Sequence, residues 1–194
     1  MDIRNTVQNL DILANCTVIE GHLQIVLIDH ATGPEYEDKS FPQLREITDY
    51  FMMYRVFGLT TLRKLFPNLT VIRGQKLFYN YALVIFEVPQ LEELGLIGLT
   101  TVARGAIRLE KNRNLCYEQT LDWSKIINMD ITKLEDNFIR LNRKDDAECP
   151  NFCPAECPVG EDGQGLCWTF QHCQKGNSFE LSSGASLFRR CCSA

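Results

Sequence analysis

Nine cysteines, three histidines and a scatter of carboxylates are the side chains in this 194-residue chain that could do covalent or metal chemistry. Cys16 and Cys116 stand alone, whereas Cys149, Cys153, Cys157, Cys167, Cys173, Cys191 and Cys192 fall within the last 46 residues. Such density suits an oxidising compartment, where disulfides replace a core too small to hold itself together. Zinc is the competing reading. The run Cys149-x3-Cys153-x3-Cys157 lacks the C-x2-C knuckle of most zinc sites, however, and only His172 lies near it, so disulfides are favoured and no metal is expected. His22, His30 and His172 share no ligand spacing. No nucleophile elbow, zincin helix or phosphate-cradling glycine loop is present, and no cofactor is expected.

The remaining polar candidates are Asp2, Arg4, Arg108, Glu110 and Lys111. Polysaccharide lyases built on parallel coils need clustered carboxylates for calcium and a basic residue to take a proton. Here the carboxylates are dispersed and the neighbouring residues are aromatic, which points away from catalysis and towards an apolar surface with a charged rim.

The elements that would carry such a surface are written as a repeat. Phe41-Pro42-Gln43-Leu44, Phe66-Pro67-Asn68-Leu69 and Val88-Pro89-Gln90-Leu91 recur at spacings of 25 and 22 residues, each leading into an apolar run. This is the pattern of a solenoid with one main strand per coil. Ile19-Glu20-Gly21, Ile47-Thr48-Asp49, Ile72-Arg73-Gly74 and Val102-Ala103-Arg104-Gly105 mark four corners, since glycine and aspartate tolerate the backbone angles of a bend. Residues 50–57 and 77–87 are apolar at both parities. One face of each strand packs inside the coil, and the other would show Met52, Tyr54, Phe78, Tyr79 or Tyr81, and Phe86. Period alone does not say whether that row is covered or exposed.

Val7, Leu10 and Leu13 predict a short helix closing one end, Trp123, Ile126 and Ile127 another at the far end, and Phe138 to Leu141 a last short strand. The polar stretch 30–39 reads as a loop, and the small, polar residues after Lys175 as a loop or disordered tail. A net charge of −5 and 45% hydrophobic content describe a folded protein and disfavour nucleic acid as a partner. No run of about 18 apolar residues exists, so no membrane span is expected. The sequons at Asn15 and Asn68 favour an extracellular setting. Met1-Asp2-Ile3-Arg4 has no apolar leader core, so the expectation is a removed signal or a truncated start.

Several stretches together resemble one family. Met1-Asp-Ile-Arg-Asn, Cys16-Thr-Val-Ile-Glu-Gly-His-Leu-Gln-Ile, Phe66-Pro-Asn-Leu-Thr-Val-Ile-Arg-Gly, Leu77-Phe-Tyr-Asn-Tyr-Ala-Leu-Val-Ile-Phe-Glu, Ile107-Arg-Leu-Glu-Lys-Asn and Cys167-Trp-Thr-x3-Cys-Gln-Lys are similar to the first leucine-rich domain of insulin and insulin-like growth factor receptors. The likeness runs from residue 1 to about 175. It implies a mainly β fold, a right-handed β-helix capped by short helices over residues 1–148, the start of a furin-like cysteine-rich region over 149–175 and a divergent tail over 176–194.

By the same resemblance the site is non-catalytic and binds an insulin-like peptide hormone through Asp2, Arg4, Asn5, Gln24, Leu27, Met52, Tyr54, Phe78, Tyr79, Asn80, Tyr81, Val84, Phe86, Glu87, Arg108, Glu110 and Lys111. In the family, a C-terminal helical segment of the receptor's extracellular subunit shares that surface. Leu83 and Ile85 are expected in the core, and Asp29 stands where vertebrate members carry an aromatic residue. The resemblance pairs Cys116 with Cys149, Cys153 with Cys167, and Cys157 with Cys173. It leaves Cys16 without the upstream cysteine that family members have, and Cys191 and Cys192 unassigned. It also suggests an insertion near Asn128 to Lys133. A receptor-pairing module without hormone binding and a secreted decoy are the alternatives.

Overall fold

The computed structural model of the chain describes residues 1–127, 136–143, 149, 152–175 and 190–192. The insertion expected near Asn128 to Lys133 lies outside the described residues, as does most of the tail.

Each repeat phrase closes the same turn. Leu44 N donates to Phe41 O at 3.2 Å, Leu69 N to Phe66 O at 3.3 Å and Leu91 N to Val88 O at 3.2 Å. The leucine of each phrase is fully buried. From that turn the chain enters a short strand, bends at a corner and runs into a longer strand. Strands β1 (Asp2–Arg4), β2 (Val18–Glu20), β3 (Leu23–Ile28), β4 (Glu46–Ile47), β5 (Phe51–Val56), β6 (Val71–Ile72), β7 (Tyr81–Phe86), β8 (Thr101–Val102), β9 (Ala106–Glu110) and β10 (Phe138–Arg140) follow in that order. The odd strands and β10 form one parallel sheet, ordered β1-β3-β5-β7-β9-β10, and β2, β4, β6 and β8 form a second. The protein is thus a mainly β solenoid of about four coils.

The corners hold the two sheets together. Thr48 Oγ1 accepts from Gly21 N at 2.7 Å, Gly74 N donates to Asp49 O at 2.8 Å, and Asp49 Oδ1 accepts from Lys76 N at 3.2 Å. Gly74 has φ +64°, and a Cβ there would lie 2.1 Å from Arg104 O, so only glycine fits this corner.

Inside the coil, side chains stack by register. Ile3, Ile25, Met53, Ile85 and Leu109 form one buried column, and Leu23, Phe51, Leu83 and Ile107 another. The N-terminal end is closed by a 3-10 helix, Val7–Leu13, whose buried Val7, Leu10 and Leu13 recur every third residue. That spacing matches the three residues per turn of a 3-10 helix rather than 3.6. The far end is closed by the single turn Trp123–Lys125, which Asp122 caps, and by β10. The polar loop contains one further helical turn, Gly33–Tyr36, which buries Tyr36 and lets its hydroxyl donate to Phe57 O at 3.0 Å.

A small disulfide-rich unit follows, with β11 (Cys167–Thr169) paired antiparallel to β12 (His172–Cys173). Its bonds are Cys116–Cys149, Cys153–Cys167 and Cys157–Cys173. Trp168 meets Trp123 edge-on at 6.0 Å, and Gln174 bonds both the N–H and the carbonyl of Asp122 at 2.8 Å.

The structure corrects two readings of the sequence. Cys16 is not left without a partner: it is bonded to Cys191, 175 residues away. Nor are residues 190–192 loop or disorder. They form β13 (Arg190–Cys192), which adds in parallel to the open edge of β2, with Arg190 on Glu20 at 2.8 Å. That edge needs a hydrogen-bonding partner, and β13 supplies one.

Candidate functional site: the outer face of the six-stranded sheet

Register puts the outward residues of the large sheet in two rows. One runs Asp2, Gln24, Met52, Val84, Arg108 and the other Arg4, Val26, Tyr54, Phe86, Glu110, with β10 adding Phe138 and Arg140. A third column lies beside them because of a recurrent backbone bend. Asn5, Leu27, Arg55, Glu87, Lys111 and Leu141 each follow the second row, and each has a left-handed φ, between 51° and 72°. The bend interrupts strand alternation, so two successive side chains stay outside before burial resumes at Ile28, Val56 and Val88.

Two asparagines satisfy backbone groups freed at two of those bends, the ones at Glu87 and Lys111. Asn112, completely buried, accepts from Val88 N at 3.0 Å and donates to Ile85 O at 2.9 Å. Asn142 repeats the pattern one coil on, accepting from Asn112 N at 3.2 Å and donating to Leu109 O at 3.1 Å. The sequence reading missed this ladder. Its signal was present as Glu110-Lys111-Asn112 above Arg140-Leu141-Asn142.

The centre of the face is apolar. Tyr54 and Phe86 stack at 5.3 Å with 9° between their planes. With Met52, Phe78, Val84 and Arg108 they line a shallow depression of about 200 Å³. Val84 is only 3% exposed, yet it lies on the outer side beneath its aromatic neighbours. Before β7 a tight turn, closed by reciprocal 2.9 Å bonds between Phe78 and Tyr81, pushes Tyr79 and Asn80 outward; Tyr79 is 83% exposed. Arg108 covers the centre, with its guanidinium 5.7 Å from the Tyr81 ring and 5.4 Å from that of Phe86. Lys111 Nζ lies 5.2 Å from the Phe86 ring.

The rim is charged but paired. Arg4 holds Asp2, Arg55 meets Asp29 at 3.6 Å, Lys111 meets Glu87 at 3.7 Å, and Arg108 holds the buried Glu110. The hydrogen bond from Arg4 keeps the Asp2 carboxyl below its usual range. Each carboxylate thus has its own cation, and among the described residues no group of three or more His, Cys, Asp or Glu could hold a metal. At the N-terminal ends of β3, β5 and β7 a second aromatic line joins His22 and Tyr50, which the sequence reading did not place at the site, to Phe78: His22 stacks on Tyr50 at 5.0 Å, and Tyr50 meets Phe78 at 5.9 Å. Burial lowers the His22 pKa.

All seventeen residues expected at the site therefore lie on or beside this face. The two sequons lie elsewhere: Asn15 is exposed, while the Asn68 amide donates to Pro42 O at 2.8 Å.

A family profile for the receptor L domain matches residues 15–127. The chain belongs to that family. It is 54% identical over 176 residues to an insulin-like peptide receptor of Branchiostoma lanceolatum, covering 90% of this chain. It is 47% identical over 184 residues to an insulin receptor of Xenopus laevis, and 46% over 176 residues to a putative molluscan insulin-related peptide receptor of Lymnaea stagnalis, covering 90% and 91% of this chain. The L domain here is thus of the insulin-receptor type, followed by the start of a disulfide-rich region. The chain spans about 13%, 13% and 10% of the length of these relatives, and the matched region is the L domain rather than a kinase. Among the described residues, no helix is long and apolar enough to cross a membrane.

Proposed function

We propose that this L domain is an extracellular, non-catalytic binding module that takes an insulin-like peptide hormone on the outer face of its six-stranded sheet. The supporting observation is the depression around stacked Tyr54 and Phe86, an apolar centre ringed by internally paired charges. Contact surfaces for peptides are built this way, with aromatic anchors desolvated at the centre and polar groups around them. The relatives' names, receptors for insulin and insulin-like peptides, give the class of ligand. Asp2, Arg4, Asn5, Gln24 and Leu27 would orient the peptide at one end of the face, and Glu87, Arg108, Glu110 and Lys111 beside its centre. A helical segment from the receptor's extracellular subunit lies over part of the surface in this reading and completes it, and signalling needs the rest of the receptor.

Titration of labelled insulin against the oxidatively folded protein, with and without a peptide copying that helical segment, tests the proposal. Saturable binding strengthened by the helix and lost in Phe86→Ala is the expected result. Self-association through the same face, with no peptide binding, would instead favour a receptor-pairing role.

A further inference from the structure

The face continues past its fifth strand. β10 pairs with β9 so that Phe138 lies beside Arg108 and Arg140 beside Glu110, and Leu141 follows with φ 56°, in the same left-handed column as Lys111. The sixth strand therefore repeats the geometry of the five before it. None of its residues belongs to the set that the family resemblance implies.

Its chemistry differs from theirs in one respect. Arg4, Arg55, Arg108 and Lys111 are each neutralised by a carboxylate on or beside the face. Arg140 is exposed and has no ion pair among the described residues. Its neighbour in register, Glu110, is already held by Arg108 and is only 5% exposed. The Arg140 guanidinium lies instead over the Phe138 ring, 3.7 Å from its centre, and the Arg108 guanidinium stands 5.1 Å from the same ring. A guanidinium stacked on a ring keeps its in-plane N–H donors free, and those donors match the two oxygens of a carboxylate. Leu141, 63% exposed, gives the subsite an apolar flank. At the opposite end Asp2 and Arg4 cancel each other, whereas at the β10 end the Arg140 guanidinium has no carboxylate paired to it among the described residues.

We propose that β10 is part of the peptide-binding face and that Phe138 and Arg140 form a subsite for an apolar side chain next to a carboxylate. The bound peptide then lies with its acidic part over β10. This inference rests on the reading of the face as a peptide site.

Binding of labelled insulin to the whole chain, with the helical peptide present, is measured for wild type, Arg140→Lys, Arg140→Gln, Arg140→Glu and Phe86→Ala, each at low and high salt. Arg140→Glu should weaken binding by about tenfold and Arg140→Gln by less, with Arg140→Lys nearest to wild type. The salt dependence of the association rate should flatten in Arg140→Gln, a change that a merely structural role would not produce. Thermal midpoints should stay at the wild-type value, because the side chain is exposed. If Phe86→Ala abolishes binding while Arg140→Glu keeps wild-type affinity and salt slope, the subsite is wrong and the face remains the peptide site. If the folded wild type binds nothing, both fall together.

Discussion

Asn112 shows how much one side chain can carry when strand alternation is broken. It is completely buried, and its amide closes the gap that the left-handed residue Glu87 opens in the preceding coil. Removing it takes from Val88 N its side-chain acceptor and from Ile85 O one of its donors, both away from water, so Asn112→Ala should cost about 3 kcal/mol in urea unfolding. A loss below about 0.5 kcal/mol would contradict the ladder. The residue was not legible in the sequence because a period of two has no place for a bend that puts two neighbours outside. By contrast Tyr54 and Phe86 were legible as alternate residues of apolar strands, and the structure adds that their row lines an open depression and that the two rings stack. His22 belongs to the same scale. Burial lowers its pKa below the ordinary 6.5, with the Met1 amino group, Asp49, Asp2 and Lys76 adding smaller effects of both signs. The unfolded chain therefore takes up its proton first as pH falls, and the contribution is lost as pH drops below the unfolded value and is level above it. The thermal midpoint should fall between about pH 7.5 and pH 5.5 by less in His22→Gln than in wild type.

Among the elements, the corners were the most legible, because Gly21, Asp49, Gly74 and Gly105 each follow a β-branched residue by two or three positions, once per coil. Gly74 is the strictest of them. With φ +64° and Arg104 O 2.1 Å from any added Cβ, Gly74→Ala must both strain its own backbone and push the next coil away. The expected loss is above about 2 kcal/mol, read from the urea midpoint, with β6 and β8 the first amides to lose hydrogen-exchange protection. The closing elements were legible in place but less so in kind. Val7, Leu10 and Leu13 suit either helix type over so short a segment, and the structure chooses the 3-10 form, whose three residues per turn aligns all three inward. The short strands β4, β6 and β8 were invisible as strands because two residues show no alternation.

At the scale of the whole molecule, the Cys16–Cys191 bond ties the first coil to the far end of the chain. Sequence spacing could not reveal it, since the pair is adjacent only after four coils have stacked and β13 has reached the free edge of β2. Closing a loop of this length stabilises by restricting the unfolded chain, on the order of 5 kcal/mol in the entropic account. Cys191→Ser should therefore lower the thermal midpoint clearly while leaving peptide binding at the outer sheet intact, because β13 pairs with the other sheet. The functional reading is decided on that outer sheet. The most direct measurement places a photoreactive benzoylphenylalanine at Tyr54, at Phe86, or at Thr101 on the second sheet, adds labelled insulin with the helical peptide, and maps the cross-links by mass spectrometry. Cross-linking from positions 54 and 86 but not from 101, suppressed by unlabelled insulin, is the predicted result. Equal cross-linking from all three, or none from 54 and 86 in folded protein, would contradict a peptide site on this face.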